Sequence, residues 1–391
     1  MLIAAAIMLL ALALRLRGLD TTALWGDQAF TLNAAMRWVN GGDMPLAANK
    51  SSVGSGDMPL AANKSSVGFV NPPMIEYLYA AALWLWRDIL SVSLLTLLGG
   101  LVAVAVTGFV TARLFGRRAA LWTMLAFAVA PWAVYWSQLI WNQTMVPPFA
   151  ALALGGLLLY LADRPRWHYL IISFVAAAIM TQVHPGSAIQ LLTIALALLL
   201  FRRRVQWRHV LVGALAFAVL YLPYLVYQIG TGWADLGAMS EMAGQESTFS
   251  GAAVLLSRDL IRAQGLLRAV PGVVILDNLV AGLFLVTLGL VVWRLWRNVG
   301  RRIPNSTHST PDSLPQPSER IALAVLLLWF FMPLLFYLRS SVYLQNYYLL
   351  SQWPAHFMIL GIGLDTARRA AVGIAARATR PAKRQVWAVV G

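Results

Sequence analysis

Ten apolar runs punctuate this chain, at residues 2–14, 91–114, 119–136, 145–161, 169–181, 186–201, 210–227, 273–293, 321–338 and 348–364. They are long and continuous rather than short and alternating, which speaks for helices and against a transmembrane β-barrel. Several fall below the roughly 20 residues of a straight span, so their ends reach into the flanking loops. Composition points the same way: 60% of the 391 residues are hydrophobic and 12% charged, against about half and a quarter in soluble domains. A soluble fold of this size cannot cover such a core with its own surface. The expected fold class is therefore all-α, a polytopic membrane protein of about ten transmembrane helices. The chain has no cysteine, which excludes a disulfide framework, a thiolate nucleophile and a Cys-based metal site.

The charges orient the spans. Thirty Lys and Arg stand against 15 Asp and Glu, a net charge of +15. Twenty of those basic residues fall at the very end of, or in the loops after, the second, fourth, sixth, eighth and tenth runs. Ten alternating spans put all of these on one side, which the positive-inside rule makes cytoplasmic. The basic charge thus reports topology, and no nucleic-acid partner is expected. Most carboxylates fall on the other side; only Asp163, Asp312, Glu319 and Asp365 are expected in the cytoplasm. Two outer segments are long, 15–72 and 230–272, and loops of that length carry function. Residues 1–366 read as one transmembrane domain and 367–391 as a basic cytoplasmic tail, whose apolar end looks like the start of a further span. Residues 298–320 hold four prolines and read as a flexible linker.

The first outer segment contains an exact tandem repeat, 42–54 and again 56–68. Two polar copies do not make a solenoid. A duplication in a tolerant loop is the better reading, so no catalytic role is placed on Asp43, Asp57, Lys50 or Lys64. Two other motifs carry more chemistry. Leu24-Trp25-Gly26-Asp27-Gln28-Ala29-Phe30 puts a carboxylate at the outer membrane surface. Asn71-Pro72-Pro73 opens a helix over 74–86 with Tyr77, Tyr79, Trp84 and Trp86, expected to lie in the interface.

This arrangement resembles the large-first-loop membrane glycosyltransferases of the GT-C fold, which include the protein O-mannosyltransferases, the aminoarabinose transferases of lipid A and the RgtA-like bacterial enzymes. The hallmark is a first span, a segment ending in Asp-Glu-Ala, and a His/Lys-Pro-Pro-Leu-like motif opening a Tyr-rich helix. Here these are Asp27-Gln28-Ala29 and Asn71-Pro72-Pro73-Met74 with Tyr77 and Tyr79. Further marks are Gly116-Arg117-Arg118-Ala119-Ala120 opening the third span, Pro131 with Tyr135-Trp136-Ser137 closing it, His184 in the turn after the fifth, and Tyr347-Tyr348-Leu349-Leu350 through Pro354 in the last. The likeness covers most of 14–364. Two positions depart from it: Gln28 stands where the family usually has Glu, and Asn71 where it often has a His or Lys able to contact the donor phosphate.

The resemblance implies an inverting transfer of a sugar from a polyprenyl-phosphate carrier to a lipid, glycan or protein acceptor, on the extracytoplasmic face of a bacterial plasma membrane. Phosphate is a good leaving group, so one carboxylate suffices to orient or deprotonate the acceptor. Asp27 is the expected base, with Gln28, Asn71 and Tyr77 positioning substrate. By residue type alone, an Asp at a span end equally caps a helix or pairs with Arg. Cations must meet the departing phosphate. Arg258 and Arg262 share one face of an amphipathic stretch expected over 252–270, and anionic headgroups would attract them equally. His184, Tyr347 and Arg339 complete the candidates. Trp132, Tyr135, Trp136 and Trp141 form an aromatic outer turn that suits a sugar face or, more simply, the interface. Asp277 reads as a carboxylate solvated at the outer edge of its span. No carboxylates stand at clear metal-ligand spacing, which leaves a divalent metal open and no other cofactor implied. The rival classes are a secondary transporter or lipid flippase and an inactive truncated homologue. Matching halves and midplane charges, the marks of a transporter, are missing from the sequence.

Overall fold

The computed structural model describes residues 2–19, 26–45, 70–243, 246–263, 272–299, 318–340 and 344–378. Each of the ten apolar runs is largely helical, some of them in more than one helical segment. α1 (Leu2–Leu16) is followed by α2 (Gly26–Val39) and α3 (Met74–Leu85). Then come α4 (Ile89–Phe115), α5 (Arg117–Val129), α6 (Pro131–Trp136), α7 (Val146–Leu158), α8 (Trp167–Val183), α9 (Ile189–Leu200) and α10 (Trp207–Gly230). α11 (Ala234–Ala243) and α12 (Ala252–Asp259) are short, and α13 (Val273–Val299), α14 (Glu319–Tyr337) and α15 (Trp353–Ala378) complete the described helices. Among the described residues, five helical stretches are long and apolar enough to cross a membrane: Ile89–Phe115, Asn142–Asp163, Trp207–Gly230, Val273–Asn298 and Glu319–Tyr337. The protein is an all-α polytopic membrane protein.

Local chemistry sets the breaks. Asp88 caps α4 by accepting the Leu90 N–H at 2.8 Å. Gly116, at φ +99°, takes a conformation that L side chains avoid and lets α4 turn directly into α5. The run expected at 119–136 is not one helix: it breaks at Ala130, because Pro131 has no N–H for the preceding turn, and restarts there as α6. The helix expected over 252–270 is also shorter, ending at Asp259. α15 runs on to Ala378, into the segment read from sequence as a tail. The tandem repeat, apart from its first few residues, and most of the expected linker lie outside the described residues.

Polar ties gather at the two ends of the bundle, and none of those below runs from one end to the other. At one end Arg113 pairs with Asp163 at 2.8 Å, Arg294 with Glu319 at 2.5 Å and with Thr366 at 3.1 Å, and the Ser318 N–H donates to Ala162. At the other end Asn142 donates to the Val183 carbonyl at 3.1 Å and Tyr337 to the Gly186 carbonyl at 2.9 Å. There β1 (Thr248–Phe249) pairs antiparallel with β2 (Arg339–Ser340). The segments assigned to opposite membrane sides from charge are thus the segments that meet at opposite ends.

Arg15, expected at the start of a loop, is instead the penultimate residue of α1 and fully buried. Its Nη1 donates to the Ala11 carbonyl at 3.1 Å and the Ala128 carbonyl at 3.0 Å. Carbonyls near helix C-termini carry partial negative charge, which suits a cation. Gly100 leaves room for it: a Cβ there would lie 3.1 Å from Arg15 Nε and 2.6 Å from Ser137 Cβ. Gln138 caps the same helix end, its amide donating to the carbonyls of Leu14 and Arg15 at 3.2 Å.

α15 packs closely on α5 because Gly361 presents no side chain. A Cβ at Gly361 would stand 2.2 Å from Thr123 Oγ1 and 2.5 Å from the Ala119 carbonyl. Small residues let helix backbones approach in this way inside membranes. Gly361→Ala is expected to destabilise the bundle by about 1–3 kcal/mol through overpacking, read as a lower melting temperature of the detergent-solubilised protein. An unchanged midpoint would refute this account of the α5–α15 contact.

Candidate functional site

The candidate residues converge on the end of the bundle that holds the two long segments. α2 opens at Gly26, so Asp27 and Gln28 stand in its first turn, where the helix dipole favours an anion. Gln28 is buried; the Asp27 side chain lies outside the described residues. α2 packs on α3, the helix opened by Asn71-Pro72-Pro73. Tyr77 on α3 donates its hydroxyl to the Pro45 carbonyl, and its ring lies 5.3 Å from Trp38. Tyr77 therefore fixes the chain leaving α2. Its neighbour Glu76, which sequence reasoning passed over, is fully buried.

His184 and Tyr347 come together. The turn at Pro185–Ala188 packs against the 3-10 segment Asn346–Gln352. The imidazole sits edge-on to Tyr347 at 5.7 Å and to Tyr348 at 5.3 Å. Tyr347 also touches Trp141 at 5.5 Å, and Trp141 stacks on Trp136 at 5.2 Å. Two of the four residues of the expected aromatic turn thus belong to one collar around His184. Burial pulls the His184 pKa down to about 4, so the ring is neutral at pH 7, and its Nε2 is buried without a hydrogen-bond partner. It offers a hydrogen bond to a ligand and no charge.

Arg258 and Arg262 do not share an open helix face. Arg258 is half-exposed and pairs with Asp259 at 2.9 Å. Arg262 is buried, pairing with Asp259 at 3.1 Å and lying 3.9 Å from Asp277. Asp277 is not solvated as its sequence position suggests: it is buried and accepts the Ala263 N–H at 2.6 Å, holding the chain beyond α12 against α13. A second buried tie fixes α12 itself. His356 Nδ1–H donates to the Gln352 carbonyl at 3.0 Å, so Nε2 accepts the Ser257 hydroxyl at 2.9 Å. α12, which carries Arg258, packs on the Asn346–Gln352 segment, the element that carries Tyr347; Arg262 lies beyond the end of α12. Arg339 is drawn to the β-ribbon, its Nε donating to Ser247 at 2.7 Å.

One set of residues was missed from sequence. Asp235, on α11, is buried and accepts the Val70 N–H at 3.0 Å, together with the amide of Gln228. The Tyr224 hydroxyl stands 2.9 Å from Asp235 and 3.0 Å from the Val70 carbonyl, and donates to one of them at a time. This network ties the residue before Asn71-Pro72-Pro73 to the second long segment. It also lines a cavity of about 260 Å3 whose walls include Tyr221, Tyr224, Gln228, Trp233, Asp235 and Pro72. Pro185, next to His184, closes another side. Trp233 is held at φ +63°, directly after Gly232 at the same angle. A left-handed tryptophan costs about 1–2 kcal/mol, and such strain tends to collect at functional sites. The signal available in sequence was the spacing of Tyr221, Tyr224 and Gln228 on one helix face, three and four residues apart. Among the described residues no group of three His, Asp or Glu side chains is placed to hold a metal ion.

Residues 70–227 match the family described as dolichyl-phosphate-mannose-protein mannosyltransferase. The structure is similar to that of ArnT from Cupriavidus metallidurans bound to undecaprenyl phosphate, with a TM-score of 0.61 and 16% identity over 96% of this chain and 62% of that one. It is also similar to the archaeal oligosaccharyltransferase AglB from Archaeoglobus fulgidus in complex with an inhibitory peptide and a dolichol-phosphate, with a TM-score of 0.52 and 15% identity over 96% of this chain and 51% of that one. The chain thus spans about three fifths of the length of ArnT and half that of AglB. No curated protein sequence matches the chain.

Two outcomes test the site as a structure. Asp235→Leu strands the Val70 N–H and the Gln228 amide, and is expected to cost about 2 kcal/mol or more, because hydrogen bonds to a charged group are lost and donors are left unmade. Asp235→Asn should cost clearly less, since Tyr224 can donate to Val70 while accepting from the new amide. Equal drops in melting temperature would refute the network. For His184, the unfolded ring binds its proton near pH 6.5 and the folded ring only at about 4. Stability is therefore lost as pH falls from 6.5 towards 4. His184→Gln should shrink the difference between melting temperatures at pH 7 and pH 5; an unchanged difference would show that the ring is not buried neutral.

Proposed function

We propose that this chain, which has the GT-C fold, is a membrane glycosyltransferase that moves a sugar from a polyprenyl-phosphate carrier to an acceptor on the extracytoplasmic side, inverting the anomeric carbon. The observation that carries the proposal is the likeness to undecaprenyl-phosphate-bound ArnT across 96% of the chain, with the candidate residues gathered at one end of the bundle. The match of residues 70–227 to a dolichyl-phosphate-mannose family supports it independently of overall shape. Residues 1–366 act as one catalytic unit, with 15–72 and 230–272 as its outer segments and 367–391 on the cytoplasmic side.

In this reading Asp27 takes the proton of the acceptor nucleophile. The nucleophile forms its bond to the anomeric carbon as the bond from that carbon to the phosphate oxygen breaks, and the electron pair leaves on the polyprenyl phosphate. One displacement gives inversion. Gln28, beside Asp27 in the first turn of α2, and Asn71, at the mouth of α3, hold the substrate. Tyr77 acts indirectly, by fixing the chain that leaves α2.

The leaving phosphate needs positive charge and hydrogen-bond donors. Arg258 is the better placed cation: its exposed pair with Asp259 is worth little, about 0–1 kcal/mol, so it can turn to a phosphate. Arg262 is held by Asp259 and Asp277 and contributes field more than contact. Neutral His184 and the Tyr347 hydroxyl supply hydrogen bonds.

The experiment pairs native mass spectrometry with a transfer assay on the purified full chain, using a panel of polyprenyl-phosphate sugars. Wild-type protein is expected to retain one of them and to transfer its sugar. Asp27→Asn should keep the bound donor and lose transfer by about 100-fold or more, the usual worth of a general base. Normal turnover in that variant would sink Asp27 as the base. No retention of any polyprenyl phosphate by the wild type would sink the proposal.

A further inference from the structure

The end of the bundle opposite the candidate site holds a second organised cluster, which the proposed transfer does not use. The end of α7 widens into a π turn, Leu159–Asp163, closed by the Arg164 N–H on the Leu159 carbonyl at 3.1 Å. Arg204 Nη1 donates to the Leu161 carbonyl of that turn at 3.2 Å. The Gln206 N–H donates to the buried Tyr160 hydroxyl at 2.9 Å, which stands 3.2 Å from His209 Nδ1. The segment from α9 to α10 is therefore pinned to the end of α7, beside residues 164–166, which lead into α8. The two helices opened here are in step. The Tyr221 hydroxyl lies 2.7 Å from that of Thr181, and a Cβ on Gly213 would lie 2.8 Å from the Phe174 ring, pairs 40 and 39 residues apart. α8 and α10 thus run parallel at a near-constant offset, and their first residues, Trp167 and Trp207, also 40 apart, start at one depth.

Both tryptophans are exposed, at 59% and 56%, and an indole in that setting marks the headgroup level. Around them stand Arg166, Arg202, Arg203 and Arg208, all exposed. Asp163, the sole carboxylate within 159–168 and 201–209, is taken up by Arg113 through hydrogen bonds of 2.8 and 3.3 Å. Among the described residues none of the four arginines pairs with an acid. Neither helix start has a side-chain cap, so the first N–H groups of α8 and α10 add to the positive field. The positive-inside rule accounts for the number of basic residues at this end. It requires neither loops pinned by hydrogen bonds nor two tryptophans at one depth. We propose that this patch docks the headgroup of an anionic phospholipid, its phosphate held by Arg166, Arg202, Arg203 and Arg208 and its upper acyl chains against Trp167 and Trp207. The patch stands at the other end of the bundle from His184 and Arg258, so the proposal does not depend on the transfer.

Native mass spectrometry of the detergent-purified full chain tests this, with dioleoylphosphatidylglycerol, tetraoleoyl cardiolipin and dioleoylphosphatidylcholine titrated in turn. The two anionic lipids are expected to bind about tenfold or more tightly than the zwitterionic one. Arg202→Gln combined with Arg203→Gln should weaken them about thirtyfold, from about fivefold for each basic residue near an anionic headgroup. That variant should melt as the wild type does, since neither arginine holds an ion pair. The control removes the same charge from the same end: Arg118→Gln on α5 combined with Arg297→Gln on α13, two helices that pack on α15. It should leave lipid binding within about twofold. Equal binding of phosphatidylcholine would overturn the proposal. So would equal losses in the two double variants, which would reduce the patch to its count of charges. The Arg202 and Arg203 variant should retain a polyprenyl phosphate as well as the wild type does. Loss of polyprenyl phosphate together with the anionic lipids would assign the patch to the carrier and overturn the phospholipid site. Retained phospholipid selectivity in a chain that transfers no sugar would leave this proposal standing and remove the transferase reading.

Discussion

A helix in hydrocarbon has nowhere to send its terminal amides and carbonyls except to other parts of the same chain. That constraint organises this protein. The ends of its helices are satisfied by side chains reaching across from neighbours: Gln138 to the end of α1, Asn142 to the end of α8, Tyr337 to the turn before α9, Asp277 to the chain beyond α12. These ties lie where spans emerge, so they are also what holds the emerging segments in place. The end of the bundle with the longer segments carries the denser set, and the candidate site is assembled from them.

The same end is electrostatically divided. Around α12 the cations stand with partial counterions, exposed Arg258 against Asp259 and buried Arg262 between Asp259 and Asp277. Near the start of α11 the cavity is mostly apolar, and among the described residues no basic side chain lines it. Between the two lies the His184 collar, uncharged at pH 7 and rich in aromatic surface. A phosphate-bearing substrate would find these cations on the α12 side of the collar. Exposed charge pairs are cheap to rearrange and buried ones are not, which is why Arg258 rather than Arg262 is the mobile partner in such a scheme.

The spans were legible because an apolar run longer than a dozen residues has few fates. Their breaks were less so: the restart at Pro131 depends on one missing N–H inside an otherwise uniform run. The pairing of His184 with Tyr347 follows from no spacing and was approached only through resemblance. Asp235 was invisible because its donor, the Val70 N–H, lies 165 residues away in sequence. Asp277 was misread for a related reason: a carboxylate in the first turns of an apolar helix looks like an edge residue until the chain that it caps is known. Arg258 and Arg262 were read as one face by their spacing, but the helix stops at Asp259, between them. Local pattern identifies elements; the partners of a buried polar group are set by topology.

Arg15 carries a consequence for how the molecule is made. Its guanidinium rests on carbonyls of Ala11 and Ala128, and Ala128 is 113 residues later in the chain. When α1 first enters the bilayer, that half of its coordination does not yet exist. A charged side chain at a helix end then stays in the headgroup layer, at the reach of its own methylenes. Until α5 is present, the buried position of Arg15 lacks the Ala128 carbonyl that receives its charge in the folded chain. A helix made 113 residues ahead of its carbonyl partner thus depends on that partner for its final depth, which separates the order of synthesis from the order of assembly.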